Sequence, residues 1–154
     1  MKATITATSR YLPKQIMTNY ELEKMVDTSD EWIQSRTGIV ERRVVSEGET
    51  TSDMCAIIAE KLLKRSNTDP NEVDVIIIAT VTPDMPTPAT ASLVQNRIGA
   101  NNAWGFDFSG ACTGFIYALD TGSRLIESGK YKKVIVIGSD TMSSILDYTD
   151  RNTC

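Results

Sequence analysis

The chain has 154 residues, 41% hydrophobic and 23% charged, with nine Gly and five Pro. That is the composition of an ordinary globular chain of one-domain length, and it excludes disorder and fibrous repeats. The formal net charge of -4 gives no electrostatic footprint for nucleic acid.

No apolar run approaches the roughly 18 residues of a membrane span, and residues 1–10 do not build a signal-peptide core. The expected compartment is therefore the cytoplasm. Three Cys do not make a secreted disulfide framework, and His is absent, which removes the commonest general base and the commonest metal ligand. No metal site is expected.

In chain order, Ala3 to Ser9 alternates with a period of two and predicts a first strand that ends before Pro13. Thr28 with Glu31 fits a capping box and predicts a short helix over Asp30–Arg36, stopped by Gly38. Ile39–Val45 reads as a second strand or hairpin arm with a polar flank. Thr50 with Asp53 starts the next helix, whose stripe of Met54, Ile57, Ile58, Ala59 and Leu62 runs to about Arg65, before a boundary over Asn67–Asn71.

Val73–Thr80 carries the run Val-Ile-Ile-Ile-Ala, the pattern of a strand covered on both faces. Val134–Ile137, ended by Gly138, repeats that pattern. Between them the sequence predicts a Pro-rich loop (Pro83, Pro86, Pro88), a helix over Ala91–Ile98, a strand over Trp104–Phe108 and a helix over Cys112–Ser128 closed by Gly129. Buried strands separated by helices give an α/β layered sheet. Lys130, Lys132 and Lys133 read as solvating the start of the last strand. The last residues, Tyr148 to Cys154, carry no stop signal, and the expectation is a fragment of a longer protein.

Two constellations could carry chemistry. Cys112 follows Ser109-Gly110-Ala111 where a strand gives way to a helix. Free backbone N–H groups and the helix dipole there favour a thiolate, which could form a thioester beside donors for an oxyanion. The alternative is that Cys112 is a small buried residue allowing close packing, as Gly114 and Ala118 would be. Cys55, inside an apolar stripe, reads as core. Trp32 and Arg36, four apart on one helix, set an indole beside a guanidinium. That pair could stack a planar base and answer phosphate charge, with the Thr28 hydroxyl at the helix start, or it could merely cover a loop. No dinucleotide fingerprint or P-loop is present.

Thr28-Ser-Asp-Glu-Trp-Ile-Gln-Ser-Arg-Thr-Gly-Ile39, Asp107-Phe-Ser-Gly-Ala-Cys-Thr-Gly-Phe-Ile-Tyr-Ala-Leu119 and Tyr148-Thr-Asp-Arg-Asn-Thr-Cys154 together resemble the β-ketoacyl-acyl carrier protein synthase III family of type II fatty acid synthesis, within the thiolase superfamily. The resemblance implies a layered αβαβα fold of two α/β halves, of which residues 1–154 are the N-terminal half; the C-terminal half, with the family's His and Asn, lies outside this chain.

It further implies a cytoplasmic acyltransferase. Cys112 would take an acyl group from acyl-CoA, and malonyl-acyl carrier protein would lose carbon dioxide and attack the thioester. Coenzyme A esters would be substrates, with no cofactor. By the same resemblance Trp32, Arg36 and Arg151 bind the adenine end of coenzyme A, with Thr28 and Thr37 beside them. Thr87 stands where many members place a bulky aromatic lining the acyl pocket from across a dimer, and Trp104–Phe108 resembles the strand that continues the sheet across a homodimer. The alternatives are another thiolase-superfamily acyltransferase, or a non-catalytic half that pairs with a separate chain. The isolated half is not expected to condense.

Overall fold

The computed structural model describes residues 2–153. Its elements in chain order are β1 (Gln15–Thr18), α1 (Asn19–Leu22), α2 (Asp30–Thr37), β2 (Glu41–Val44), α3 (Thr51–Ser66), β3 (Val75–Ala79), α4 (Thr90–Ile98), β4 (Trp104–Phe108), α5 (Ala111–Glu127) and β5 (Val134–Gly138), with single 3₁₀ turns at Pro70–Glu72 and Met142–Ser144.

Length alone predicts one compact unit, whereas the described chain folds as two: residues 2–11 with 50–140, and residues 12–49 with 141–153. The first unit is an α/β sandwich. Its sheet has the order β4-β3-β5, all parallel, with Val75 opposite both Trp104 and Val134. Every residue of β3 is buried, because the strand is central and helices cover both faces.

Alternation along β3 divides its side chains. Ile76 and Ile78 pack with Cys55, Ala59 and Leu63 of α3 and Val94 and Ile98 of α4. Val75, Ile77 and Ala79 pack with Ala118 of α5 and, around it, Phe106, Phe108 and Leu125. Each fully buried Ile contributes about 1.5–3 kcal/mol. The buried residues of α5 are Gly114, Ala118 and Gly122, a small-residue face that brings its backbone close to the sheet. A Cβ at Gly122 would stand 3.0 Å from a Val136 methyl.

The second unit pairs β1 with β2 antiparallel, Gln15 opposite Val44 and Thr18 opposite Glu41. Leu22, Val26 and Ile33 form its core, with Met17 and Tyr148 packed against them. The returning segment is pinned to β2 by the Val45 N–H, which donates to Ser143 Oγ at 3.1 Å.

Two expectations need correction. Ala3–Ser9 forms no strand: alternation assigns faces but cannot supply a pairing edge, and this segment instead lends carbonyls to α3, Thr8 O accepting from Arg65 at 2.7 Å. The strand of this region is β1, further along. The cap of α2 is Ser29 rather than Thr28, its side chain accepting from the Trp32 N–H at 3.1 Å. The α3 capping box of Thr50 and Asp53 and the left-handed Gly38 stop (φ 71°) are as the sequence predicts.

Candidate functional site

In the α/β unit, β4 ends at Phe108 and α5 begins at Ala111, so the chain reverses within two residues. The sharp backbone is carried by Ala111, with φ 46°, and not by Gly110, whose φ is -137°. Gly110 is needed for a different reason: a Cβ there would lie 2.9 Å from Gly114 Cα. A left-handed alanine costs about 1–2 kcal/mol.

Cys112 is the next residue, at the start of α5, and it is exposed. That removes the reading of Cys112 as a small buried residue. No side chain caps this helix start, and the Thr113 hydroxyl is turned to Gly110 O at 2.9 Å. The first-turn amides of α5 therefore have no side-chain acceptor beside Cys112, which leaves them available to a developing oxyanion.

Beside this turn an open cleft of about 410 Å³ is lined by Thr80, Val81, Pro83, Met85, Pro86, Ala89, Asp107 and Ser109. Thr87, in the same Pro-rich loop, is exposed but does not line it. Three aspartates brace this region, of which Asp107 lines the cleft. Asp107 accepts from Thr90 N (2.6 Å) and Ala91 N (2.8 Å), capping α4; Asp84 accepts from Ser52 N and Oγ; Asp140 accepts from Val81 N at 2.8 Å. Sequence reasoning missed these. For Asp107 the available signal was Ala89, a helix start with no capping side chain of its own, which calls for a borrowed acceptor.

Cys55 is the chemical opposite of Cys112. It is fully buried, and burial pushes its thiol up to about 12; a hydrogen bond with Ser139 opposes this, and the charges of Asp107, Asp84 and Asp140 add to it. The folded state therefore holds this proton more tightly than the unfolded chain. Its contribution to stability is complete below the ordinary thiol range and is lost as pH rises toward 12. Denaturant midpoints measured between pH 8 and 11 should fall with pH less steeply in Cys55→Ala than in the parent chain; parallel slopes would contradict this.

In the second unit, Trp32 on α2 is 41% exposed. The Arg36 guanidinium lies 5.3 Å from its ring centroid and the Arg151 guanidinium 4.5 Å. The residues that the sequence singled out, 119 positions apart, thus meet on one indole. A base between Trp32 and Arg151 would need a van der Waals gap of about 3.5 Å on each of its faces, so Arg151 must withdraw to admit one.

Thr28 is half-buried two residues before α2. Thr37 is committed locally, its hydroxyl donating to Ile33 O at 2.7 Å and accepting from Ile39 N at 3.1 Å. Asp30, at the start of α2, is held below the usual carboxylate range by hydrogen bonds from Gln34 and then Asn19.

Among the described residues, no cluster of His, Cys, Asp or Glu has the makings of a metal site, and no helix is long and apolar enough to cross a membrane.

The sequence profile of the 3-oxoacyl-[acyl-carrier-protein (ACP)] synthase III family matches residues 106–154, the stretch that holds Cys112. A beta-ketoacyl-[acyl-carrier-protein] synthase III of Chlorobium chlorochromatii (strain CaD3) is 58% identical over 99% of this chain and 47% of its own length. The crystal structure of a 3-oxoacyl-[acyl-carrier-protein] synthase III from Aquifex aeolicus VF5 superposes with a TM-score of 0.93 at 50% identity, covering 97% of this chain and 48% of that one. A beta-ketoacyl-acyl carrier protein synthase III from Thermus thermophilus gives 0.92 at 45% identity, covering 98% and 47%. The chain spans about half the length of the curated relatives it matches.

Proposed function

Because the chain belongs to the β-ketoacyl-acyl carrier protein synthase III family as its N-terminal, thiolase-like α/β half, we propose that it supplies the acyl-accepting and coenzyme A-binding parts of the condensing enzyme that initiates type II fatty acid synthesis. The observation that carries this reading is Cys112, exposed at an uncapped helix start directly after a parallel strand. There the thiolate would attack the acyl-CoA carbonyl, the first-turn amides would stabilise the oxyanion, and coenzyme A would leave as the thiol. Malonyl-acyl carrier protein is the proposed second substrate, its decarboxylation assisted by residues beyond this chain, since the sequence holds no His. The proposed compartment is the cytoplasm.

Trp32 supports the ester-binding part of the reading, with Arg36 and Arg151 on its ring and Thr28 and Thr37 at the two ends of its helix. Trp32→Ala is expected to weaken coenzyme A ester binding by about 1–2 kcal/mol, the scale of a lost stacking and cation–π contact. Titration calorimetry with acetyl-CoA and a longer ester checks this, and the loss should be the same for both. Unchanged affinity would remove the assignment.

The proposed assembly is a homodimer joined through β4. This strand has a pairing partner on one side only, and Trp104 at its start is 43% exposed, the features of an edge that another copy could extend. Thr87, small and exposed, is proposed to leave the acyl pocket roomy. Thr87→Phe in an enzyme with both halves should then reduce use of longer or branched primers while sparing acetyl-CoA, since overpacking costs about 1–3 kcal/mol only where more carbon must fit. Equal losses in kcat/KM for both primers would count against it.

A further inference from the structure

Helix α2 carries Trp32 and Arg36, yet it buries only Ile33 of its eight residues. Apolar packing on so narrow a face cannot fix a two-turn helix. Its internal bonds, Ser29 to the Trp32 N–H and Gln34 to Asp30, keep it helical without tying it to anything else.

The outward ties converge on Asn19, which is fully buried in the four-residue helix α1. Its Nδ2 donates to Asp30 Oδ1 at 2.8 Å, at the first residue of α2, and to Ile39 O at 2.7 Å, just past the Gly38 cap. Its Oδ1 accepts from Arg42 Nη2 on β2 at 2.8 Å. Both amide protons are used, one at each end of α2, and the carbonyl is anchored to the neighbouring strand. Glu23 and Tyr20 add ties at the start only, Glu23 accepting from the Asp30 N–H and Tyr20 hydrogen-bonding the Asp30 carboxylate.

We infer that Asn19 is a positioning residue for coenzyme A recognition, clamping both ends of α2 so that Trp32 and Arg36 are held ready for the nucleotide. This rests on the reading of Trp32, Arg36 and Arg151 as the nucleotide end of the site. Preorganisation is the physical content: a helix already fixed does not charge its ordering entropy to the ligand.

The test uses Asn19→Asp, which keeps the shape and the acceptor for Arg42 but turns both donations into repulsions. Coenzyme A binding is read by titration calorimetry. Affinity should fall about tenfold, with unfolding still cooperative. For acylation, the loss should fall on the acetyl-CoA concentration at half-maximal rate more than on the rate at saturation. Adding Asp30→Asn re-forms the side-chain bond with donor and acceptor exchanged and should recover part of the affinity.

Should Asn19→Asp not fold, Asp30→Ala, which cuts the same tie from the other side, is expected to weaken binding about threefold. Parental affinity in either folded variant, or no recovery with Asp30→Asn, would overturn the inference. Trp32→Ala, measured beside them by calorimetry, separates the two levels. If it alone binds coenzyme A normally, the site reading fails; the clamp is then judged by hydrogen exchange of the α2 amides, which faster exchange in Asn19→Asp supports and unchanged exchange overturns.

Discussion

Incubated with acetyl-CoA, the protein is expected to gain one acetyl group on the peptide containing Cys112, and Cys112→Ala should abolish that gain while leaving the unfolding transition in place. The chain presents its two described thiols in opposite states. Cys112 is exposed at a helix start, and Cys55 is buried with its thiol pushed up to about 12. Only the former is accessible, so a neutral alkylating reagent should follow the same order. The 154 residues alone should acylate slowly and condense nothing, because they include no His and only part of the oxyanion donors. Peptide mass mapping decides the matter: preferential labelling of Cys55, or full condensing turnover by this chain, would show that the chemistry has been placed wrongly.

Gly110→Ala is expected to damage that reaction without touching the nucleophile. The added Cβ would lie 2.9 Å from Gly114 Cα and 3.2 Å from Gly114 N, both backbone atoms. Gly114 cannot retreat freely, since its own Cβ position is already 3.4 Å from the Ala79 side chain on β3. The start of α5 must therefore move outward and carry Cys112 with it. Overpacking of this kind costs about 1–3 kcal/mol, and misplacing a nucleophile by about 1 Å costs on the order of a hundredfold in rate. Urea midpoints and the rate of acetyl transfer to Cys112 measure the two effects. Parental stability together with a parental rate would mean that Gly110 is not needed for close approach.

Much of this architecture could be read in advance wherever burial leaves an uninterrupted signature. β3 and β5 follow from Val-Ile-Ile-Ile-Ala and Val-Ile-Val-Ile, since strands between helix layers need apolar side chains on both faces. Helix ends followed from cap chemistry at Thr50 and Gly38. What escaped was decided by partners distant in sequence. Ala3–Ser9 has the period of a strand but no edge to join, whereas β1, with its two exposed and two half-buried residues, has an edge and no apolar pattern. At the candidate site the residue types were legible at Cys112, Trp32 and Arg36. The contact of Arg151 with Trp32 came only from resemblance, because no local rule relates residues so far apart. The left-handed Ala111 and the clamp at Asn19 had no sequence signal, one being a backbone state that alanine rarely adopts and the other a polar side chain whose burial depends on the whole unit.

The division of the chain into an inner segment of 50–140 and flanking segments of 12–49 and 141–153 has a consequence for synthesis on the ribosome. Residues 12–49 emerge early, but Tyr148 and Arg151, which finish their core and their tryptophan contact, emerge about a hundred residues later. At roughly 5–20 residues per second, the smaller unit must wait for several seconds with Leu22, Val26 and Ile33 incompletely covered, while the three parallel strands of the larger unit are completed. The nascent chain therefore closes its longest loop last, and the unit that carries Trp32 is the part most exposed to chaperones and proteases during its birth.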